Sequence, residues 1–116
     1  MPDTPQKKIL LIDDDKFLLD MYALKFAKAN YEVRAVDSTE AALKISRDGF
    51  VPDVILCDIV MPGMDGLELV AAMRKEKLAP SAVIIMLTNQ GASDDISRAK
   101  KLNVDGYIVK ATTIPS

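Results

Sequence analysis

Polar side chains suited to binding a phosphoryl group or a metal ion follow four of the apolar segments in this sequence. They are Asp13, Asp14, Asp15, Asp58, Thr88 and Lys110. Carboxylates without histidine or thiolate partners favour a hard cation such as Mg²⁺ or Mn²⁺. A threonine hydroxyl and a lysine ammonium beside such an ion could contact phosphoryl oxygens. Because a carboxylate can also attack phosphorus to form an acyl phosphate, the set is typical of phosphoryl transfer to an aspartate.

Each of these residues, taken alone, also fits an ordinary structural role. The acidic run 13–15 is compatible with a solvated turn that leads into a helix cap. Asp58 could be a turn carboxylate before a Pro-Gly loop, Thr88 a structural threonine and Lys110 a surface lysine. The chemical interpretation therefore depends on whether these residues meet at one edge of a common sheet.

The apolar segments predict five strands that alternate with helices. Runs rich in Ile, Val and Leu lie at residues 8–12, 31–36, 54–57, 82–87 and 107–109. Short continuous runs of this kind are typical of strands that helices cover on both faces. We therefore predict an α/β fold with one doubly wound parallel sheet, and four helices between the strands. Such sheets bind ligands at the carboxyl ends of their strands, where the polar groups fall.

Capping residues indicate where the second and third helices begin. Asp37 or Ser38 can cap the second helix, and Glu40 stands three residues after Asp37, as a capping box requires. Asp65 and Glu68 have the same spacing before the third helix. Both helices are therefore expected to start just after a polar turn.

The C-terminal part of the sequence predicts a fourth helix and an incomplete fifth. Ser93, followed by Asp94 and Asp95, is expected to cap the fourth helix, where the macrodipole favours anions. Residues 111–116 resemble a helix opening with nothing behind it. We thus expect one domain over residues 1–116 that is C-terminally short, with its fifth helix missing or truncated. Apolar side chains left uncovered there predict either a truncated chain or self-association.

Composition excludes several classes of protein. The absence of histidine from the 116 residues excludes Ser-His-Asp triads, His-rich zinc sites and a phosphohistidine donor. A net charge of −2 gives no electrostatic basis for nucleic-acid binding. The longest apolar run, 82–87, is too short to span a membrane, and no secretion signal is expected. The single Cys57 excludes an internal disulfide and is typical of the reducing cytoplasm, where we expect the protein.

Four segments of the sequence resemble those of response regulator receiver domains in two-component signalling. They are Ile-Leu-Leu-Ile-Asp-Asp-Asp at 9–15, Leu-Cys-Asp-Ile-Val-Met-Pro-Gly-Met-Asp-Gly at 56–66, Ile-Ile-Met-Leu-Thr at 84–88 and Gly-Tyr-Ile-Val-Lys at 106–110. The resemblance covers nearly the whole chain in family order, and the segment 58–66 is its most specific part. It implies a flavodoxin-like sheet with strand order 2-1-3-4-5.

The resemblance also implies a phosphoacceptor and a set of metal ligands. Asp58 would accept the phosphoryl group. Asp14 would bind Mg²⁺ directly, together with Asp58, and Asp13 would act mostly through water. The backbone carbonyl of Val60 would complete the protein's share of the ligands. Asp15, beside the cluster, is instead expected to cap the first helix.

Three further residues receive roles from the resemblance. Thr88 would hydrogen-bond a phosphoryl oxygen, and Lys110 would pair with Asp58 and then with its phosphate. Tyr107 would be a switch aromatic that turns inward as the Thr88 hydroxyl moves toward the phosphate. That movement would remodel a partner-binding surface around the fourth helix and fifth strand.

The expected function is therefore a phosphorylation-activated switch without turnover of a free substrate. A sensor histidine kinase or phosphotransfer protein would donate the phosphoryl group to Asp58, and an output partner would read the result. No nucleic acid or membrane is expected to bind this domain. One alternative is a degenerate receiver that binds a partner without phosphorylation. The intact set of Asp13, Asp14, Asp58, Thr88 and Lys110 argues against it, because a degenerate receiver has no need of these residues.

The other alternative is a haloacid-dehalogenase-like phosphatase. Asp13 and Asp15 have the spacing of its nucleophile and acid after the first strand. However, the following Lys16 and Phe17 do not continue that motif, and the sequence has no cap insertion.

Overall fold

Nine elements of secondary structure alternate along the part of the chain that the computed structural model describes, residues 6–88 and 93–109. The strands are β1 (Lys8–Ile12), β2 (Glu32–Val36), β3 (Val54–Asp58), β4 (Val83–Thr88) and β5 (Gly106–Val109). The helices are α1 (Lys16–Lys28), α2 (Thr39–Arg47), α3 (Gly66–Lys75) and α4 (Ser93–Lys101).

The strands form one parallel sheet in the order β2-β1-β3-β4-β5. The predicted fold class, strand order and four helices are thereby confirmed. Lys110 and the expected helix opening at 111–116 lie outside the described residues. No helix in the described ranges combines the length and hydropathy needed to cross a bilayer.

The starts of β2, β4 and β5 each differ by one residue from the starts of the apolar runs. Asp58 and Thr88, which were expected at the carboxyl ends of the third and fourth strands, are the last residues of the strand ladder. Asp58 is in register with Leu87, and Thr88 with Val109. The two polar side chains therefore project from the last residues of regular strands, whose hydrogen-bonded neighbours restrict their positions.

Alternate residues of the central strands face two separate apolar layers, as the pleat of a buried sheet requires. On one side, Leu10, Ile55 and Met86 belong to a buried cluster that includes Leu67 of α3 and Ala99 of α4. The opposite side has a smaller cluster. Its buried members are Ile9, Leu11, Leu19, Leu56 and Leu87, of which Leu19 comes from α1. Burial on both faces holds β1 and β3, and with them the ends of these strands, in place.

The predicted cap of α1 and the predicted capping box of α3 are both confirmed. The Asp15 carboxylate accepts a hydrogen bond from the Leu18 N–H at 3.2 Å. At α3, the Glu68 N–H donates to Asp65 Oδ1 at 2.8 Å, and the Asp65 N–H donates to Glu68 Oε1 at 3.0 Å. Each cap satisfies backbone donors that have no partner within the helix.

Of the two caps that the sequence allowed for α2, Ser38 is confirmed, and its hydroxyl accepts from the Ala41 N–H at 3.1 Å. The capping box predicted from Asp37 and Glu40 is wrong. Since Ala41 then occupies the third helical position, Glu40 lies one residue too early to close a capping box. Ser93 is the first residue of α4 rather than its cap. Sequence spacing alone did not show which of several adjacent polar residues leaves the helical conformation.

Gly66 lets the loop after β3 fold back against its own strand. Its N–H donates to the Ile59 carbonyl at 2.8 Å, and the Ile59 N–H donates to the Leu87 carbonyl at 3.0 Å. A Cβ atom at position 66 would overlap the carbonyl oxygen of Asp58 and would lie 3.0 Å from Cys57 Sγ. The start of α3 is therefore packed directly on the backbone of Asp58.

We expect Gly66→Ala to destabilise the protein by about 3 kcal/mol or more, because the obstructing atoms belong to the backbone and cannot rotate away. Gly106→Ala is the matched control, since nothing lies within 4 Å of a Cβ atom built there. Its effect should stay within about 0.5 kcal/mol. Urea unfolding followed by circular dichroism measures both, and equal midpoints for the two variants would contradict the packing argument.

A bidentate ion pair joins the C-terminal ends of α2 and α3. Arg47 Nε and Nη2 donate to Glu76 Oε1 and Oε2 at 2.8 and 2.6 Å. Hydrogen bonding to Arg47 lowers the pKa of the Glu76 carboxyl, and the same bonds raise the pKa of Arg47. Because the folded pKa of Glu76 is lowered, its stabilising effect is present above its unfolded pKa and is lost as the pH falls through the folded value.

Glu76→Gln should therefore lower the melting temperature slightly at pH 7, and the difference from wild type should shrink below about pH 4. Thermal unfolding across this pH range tests the expectation. In an Arg47→Gln background the same substitution should show no such pH dependence. A difference that persisted there would mean that Glu76 acts through another group.

Candidate functional site

Three carboxylates meet at the carboxyl edge of the sheet, where β1 and β3 are neighbours. Asp13 follows β1, Asp58 ends β3, and one oxygen from each, together with one from Asp14, lies within 4.8 Å of the others. The strand order reverses at this point, since β2 lies on the far side of β1. Ligands bind open α/β sheets at such switch points. The structure thus brings together the three predicted metal ligands that carry carboxylates.

The burial of the cluster is uneven, and this shapes its electrostatics. Asp13 and Asp58 are 1% and 4% exposed, whereas Asp14 lies at the surface. At such separations a pair of ionised carboxylates repels by roughly 3 kcal/mol at an effective dielectric of about 20. A bound cation offsets this repulsion. An all-oxygen set with one open side fits Mg²⁺, which keeps several waters and takes one or two carboxylates from a protein.

The start of α1 fixes the orientation of Asp13. Its Oδ1 accepts a hydrogen bond from the Asp15 N–H at 2.9 Å, and its own N–H donates to the Val36 carbonyl at 3.3 Å. The Asp15 side chain caps α1 through the Leu18 N–H and does not belong to the metal-competent group. The predicted cap role of Asp15 is therefore confirmed, and Asp13 lies in the carboxylate group that excludes Asp15.

Thr88 and Val60 border the cluster on the β4 side and in the loop after β3. Thr88 is 1% exposed and lies one residue beyond Leu87, the register partner of Asp58. Val60 follows Asp58 by two residues and is 54% exposed, and the contribution that the resemblance predicts for it is its backbone carbonyl. Lys110, predicted to complete the set, lies outside the described residues.

Tyr107 lies on β5, in register with Met86 of β4. Residues two apart in a strand face the same side of a sheet, so Tyr107 and Thr88 share a face. The Tyr107 side chain is 40% exposed. This position leaves the ring accessible to solvent beside the strand that ends at Thr88, which is compatible with the switch role that the sequence predicts for it.

Cys57 is buried directly before Asp58, and its Sγ contacts the Asp58 carbonyl oxygen at 3.3 Å. Burial, followed by the nearby charges of Asp58 and Asp13, raises the pKa of its thiol well above the usual value. Because the thiolate is the reactive and metal-binding form, Cys57 is unsuited to act as a nucleophile or ligand.

An ion pair between α3 and α4 extends from the site and was not predicted from the sequence. Arg98 of α4 donates from Nη2 to Asp65 Oδ2 at 2.8 Å, across a separation of 33 residues. Within α4, its Nη1 contacts Asp95 Oδ1 at 3.4 Å. Only the second contact has a local signal, the i,i+3 spacing on one helix. The first depends on how α3 and α4 pack, which no spacing in the sequence reveals.

The response regulator receiver domain family matches residues 9–115. The chain belongs to this family. The phosphate regulon transcriptional regulatory protein PhoB of Pseudomonas aeruginosa is 34% identical over 104 residues. That alignment covers 90% of this chain but 45% of PhoB, so the chain spans less than half the length of this relative.

Solved structures of response regulators have the same fold as this receiver domain. The chemotaxis protein CheY4 of Vibrio cholerae superposes with a TM-score of 0.84 at 28% identity, covering 94% of this chain and 90% of CheY4. The response regulator TrrA of Thermotoga maritima, solved in complex with Mg(2+)-BeF, gives a TM-score of 0.77 at 32% identity. It covers 93% of this chain and 90% of TrrA. The predicted family is therefore confirmed, and with it a place in two-component signalling.

Proposed function

We propose that this receiver domain is a phosphorylation-activated switch and that Asp58 accepts the phosphoryl group. The proposal depends above all on the grouping of Asp58 with Asp13 and Asp14 at a strand end, beside the buried Thr88. A phosphohistidine on a sensor histidine kinase or phosphotransfer protein would be the donor. The domain has no histidine with which to serve as that donor itself.

In the proposed reaction, an Asp58 carboxylate oxygen attacks the phosphorus of the donor. An O–P bond forms as the P–N bond to the donor imidazole breaks, and the electron pair of the broken bond stays on the imidazole nitrogen. The product is an acyl phosphate on Asp58. Mg²⁺, when bound, offsets the negative charge of the phosphoryl oxygens and of the acidic cluster.

The remaining residues position the group and neutralise its charge. Asp14 and Asp58, with the Val60 carbonyl, would hold the ion, and Asp13 would act on it mostly through bound water. The Thr88 hydroxyl would donate a hydrogen bond to a phosphoryl oxygen, and the Lys110 ammonium would pair with another. Since these roles are ones of placement and charge, the domain would modify itself without turning over a free substrate.

The phosphatase alternative would need Asp15 as an acid that acts on substrate. The Asp15 carboxylate instead accepts the Leu18 N–H at the start of α1. Moreover, the group of three carboxylates contains Asp58 and omits Asp15. These observations favour Asp58 as the nucleophile, and they leave phosphorylation as the property that distinguishes an active receiver from a degenerate one.

A cytoplasmic location, as expected from the single cysteine, forms part of the proposal, and so does self-association. Phe17, Met21 and Leu24 are 77%, 46% and 59% exposed, and their spacing places them along one side of α1. An exposed apolar stripe of this kind supports contact with a second copy or with a signalling partner.

Incubation with Mg²⁺ and acetyl phosphate should add one phosphoryl group to the wild-type chain, as measured by intact-protein mass spectrometry. Asp58→Asn should gain no phosphoryl group, because an amide has no negatively charged oxygen to act as the nucleophile. Asp20→Asn, which alters an exposed carboxylate on α1, is the control and should react like the wild type. Equal labelling of the Asp58→Asn variant would exclude Asp58 as the acceptor, and release of phosphate over many turnovers would favour an enzyme.

Replacement of Asp14 by asparagine should weaken Mg²⁺ binding by about tenfold or more, since it removes a directly coordinating charge. Asp15→Asn is a matched control, because it changes the adjacent carboxylate while asparagine can still cap α1. Titration of each protein with MgCl₂ by calorimetry or NMR gives the affinities. If Asp15→Asn weakened binding as much as Asp14→Asn did, the assignment of ligands would be wrong.

A further inference from the structure

Helix α4 is the least anchored of the helices that cover its face of the sheet. Among its nine residues only Ala99 is fully buried, whereas α2 buries four residues and α3 buries five. Elements with little buried apolar surface open at a low cost in free energy. Any further contact that α4 makes therefore has a large influence on where it lies.

The ion pair between Arg98 and Asp65 is such a contact. The guanidinium is 45% exposed and the carboxylate 22%, so the pair lies at the rim of the α3–α4 junction. The two oxygens of Asp65 have separate partners, since Oδ1 accepts the Glu68 N–H and Oδ2 accepts from Arg98. The same side chain thus begins α3 and ties α4 to it.

Asp65 is in turn held close to Asp58. The next residue, Gly66, is bonded to the Ile59 carbonyl and packs so closely on the Asp58 carbonyl that a Cβ atom has no room. A continuous line of contacts therefore runs from the backbone of Asp58 through Gly66 and Asp65 to Arg98 on α4. The N-terminal end of α4 follows Thr88 along the chain and is separated from it by residues 89–92.

We propose that the Asp65–Arg98 ion pair restrains α4 against α3 in the unphosphorylated domain, so that phosphorylation of Asp58 proceeds against this restraint. The inference rests on the proposed role of Asp58. A shift of Thr88 toward a phosphoryl group on Asp58 would displace the start of α4. The ion pair opposes this displacement, because it holds α4 to Asp65 in the loop that packs on the Asp58 backbone. Loss of the pair should therefore loosen α4 and favour the phosphorylated arrangement.

The first measurement is hydrogen exchange of peptides that cover residues 93–101, made without phosphodonor. Arg98→Gln removes the positive charge of the pair. Asp65→Asn removes the negative charge, while its amide oxygen can still accept the Glu68 N–H. Each should speed exchange roughly two- to fivefold, as expected for loss of an exposed ion pair. Asp95→Asn is the matched control, since it removes the contact of Arg98 within α4 and an anion at the helix start but keeps the ion pair to α3. Its exchange should rise less than that of Arg98→Gln or Asp65→Asn.

The second measurement is the rate of phosphorylation by acetyl phosphate with Mg²⁺. Arg98→Gln and Asp65→Asn should each accelerate it roughly two- to fivefold, and the double variant should be no faster than either single one. Unchanged hydrogen exchange in both single variants would overturn the proposal. A double variant whose phosphorylation rate rises by the product of the two single-variant factors would also overturn it, because the two residues would then act independently. So would an Asp95→Asn variant that behaves like Arg98→Gln.

The two measurements also separate this inference from the proposed function. A wild-type protein that acquires no phosphoryl group would refute the role of Asp58 and the coupling together. A wild-type protein that is phosphorylated, with variants that react at the same rate, would refute the coupling alone.

Discussion

Asp13, Asp14 and Asp58 repel one another electrostatically, and the surrounding structure has to hold them together against this repulsion. Their oxygens lie within 4.8 Å of one another, and two of the three side chains are buried. The mutual repulsion of these carboxylates opposes folding, so the scaffold has to hold them together. The central strands β1 and β3 do so, because apolar side chains cover them on both faces. In the proposed function, the same repulsion that opposes folding would create the affinity for a cation and, through it, for a phosphoryl group.

The loop after β3 shows how tightly the scaffold is built around Asp58. Within eight residues the chain leaves the strand, returns to hydrogen-bond Ile59 and begins α3 with Gly66 against the Asp58 carbonyl. The hydroxyl of Thr39, at the start of α2, also donates to the Met64 carbonyl in this loop at 3.0 Å. Two helix starts thus fix the backbone around a single carboxylate. In the proposed reaction, a carboxylate placed in such a framework would need no reorganisation when the phosphoryl donor binds.

The sequence predicted those parts of the molecule that depend on local patterns. Buried strands appear as apolar runs, and parallel strands place their carboxyl ends at one edge, so the meeting of Asp13, Asp14 and Asp58 followed from order alone. Capping was less predictable, because Asp37 and Ser38 both suit a helix start and only the backbone conformation decides between them. The pair of Asp65 and Arg98 could not be predicted, since it depends on the packing of two helices whose contact residues are 33 positions apart.

The contrast between the fixed position of Asp58, the proposed acceptor, and the weakly buried α4 has a thermodynamic basis. A ligand shifts a conformational equilibrium only by the difference in its affinity for the two states, so an element that must respond to one phosphoryl group cannot be deeply buried. With five buried residues, α3 has too much apolar area in contact to move readily, whereas α4 has only Ala99 fully buried. An exposed ion pair contributes at most about 1 kcal/mol. Such a contribution is large enough to bias the position of α4 and too small to prevent its movement, which is the range a reversible switch requires.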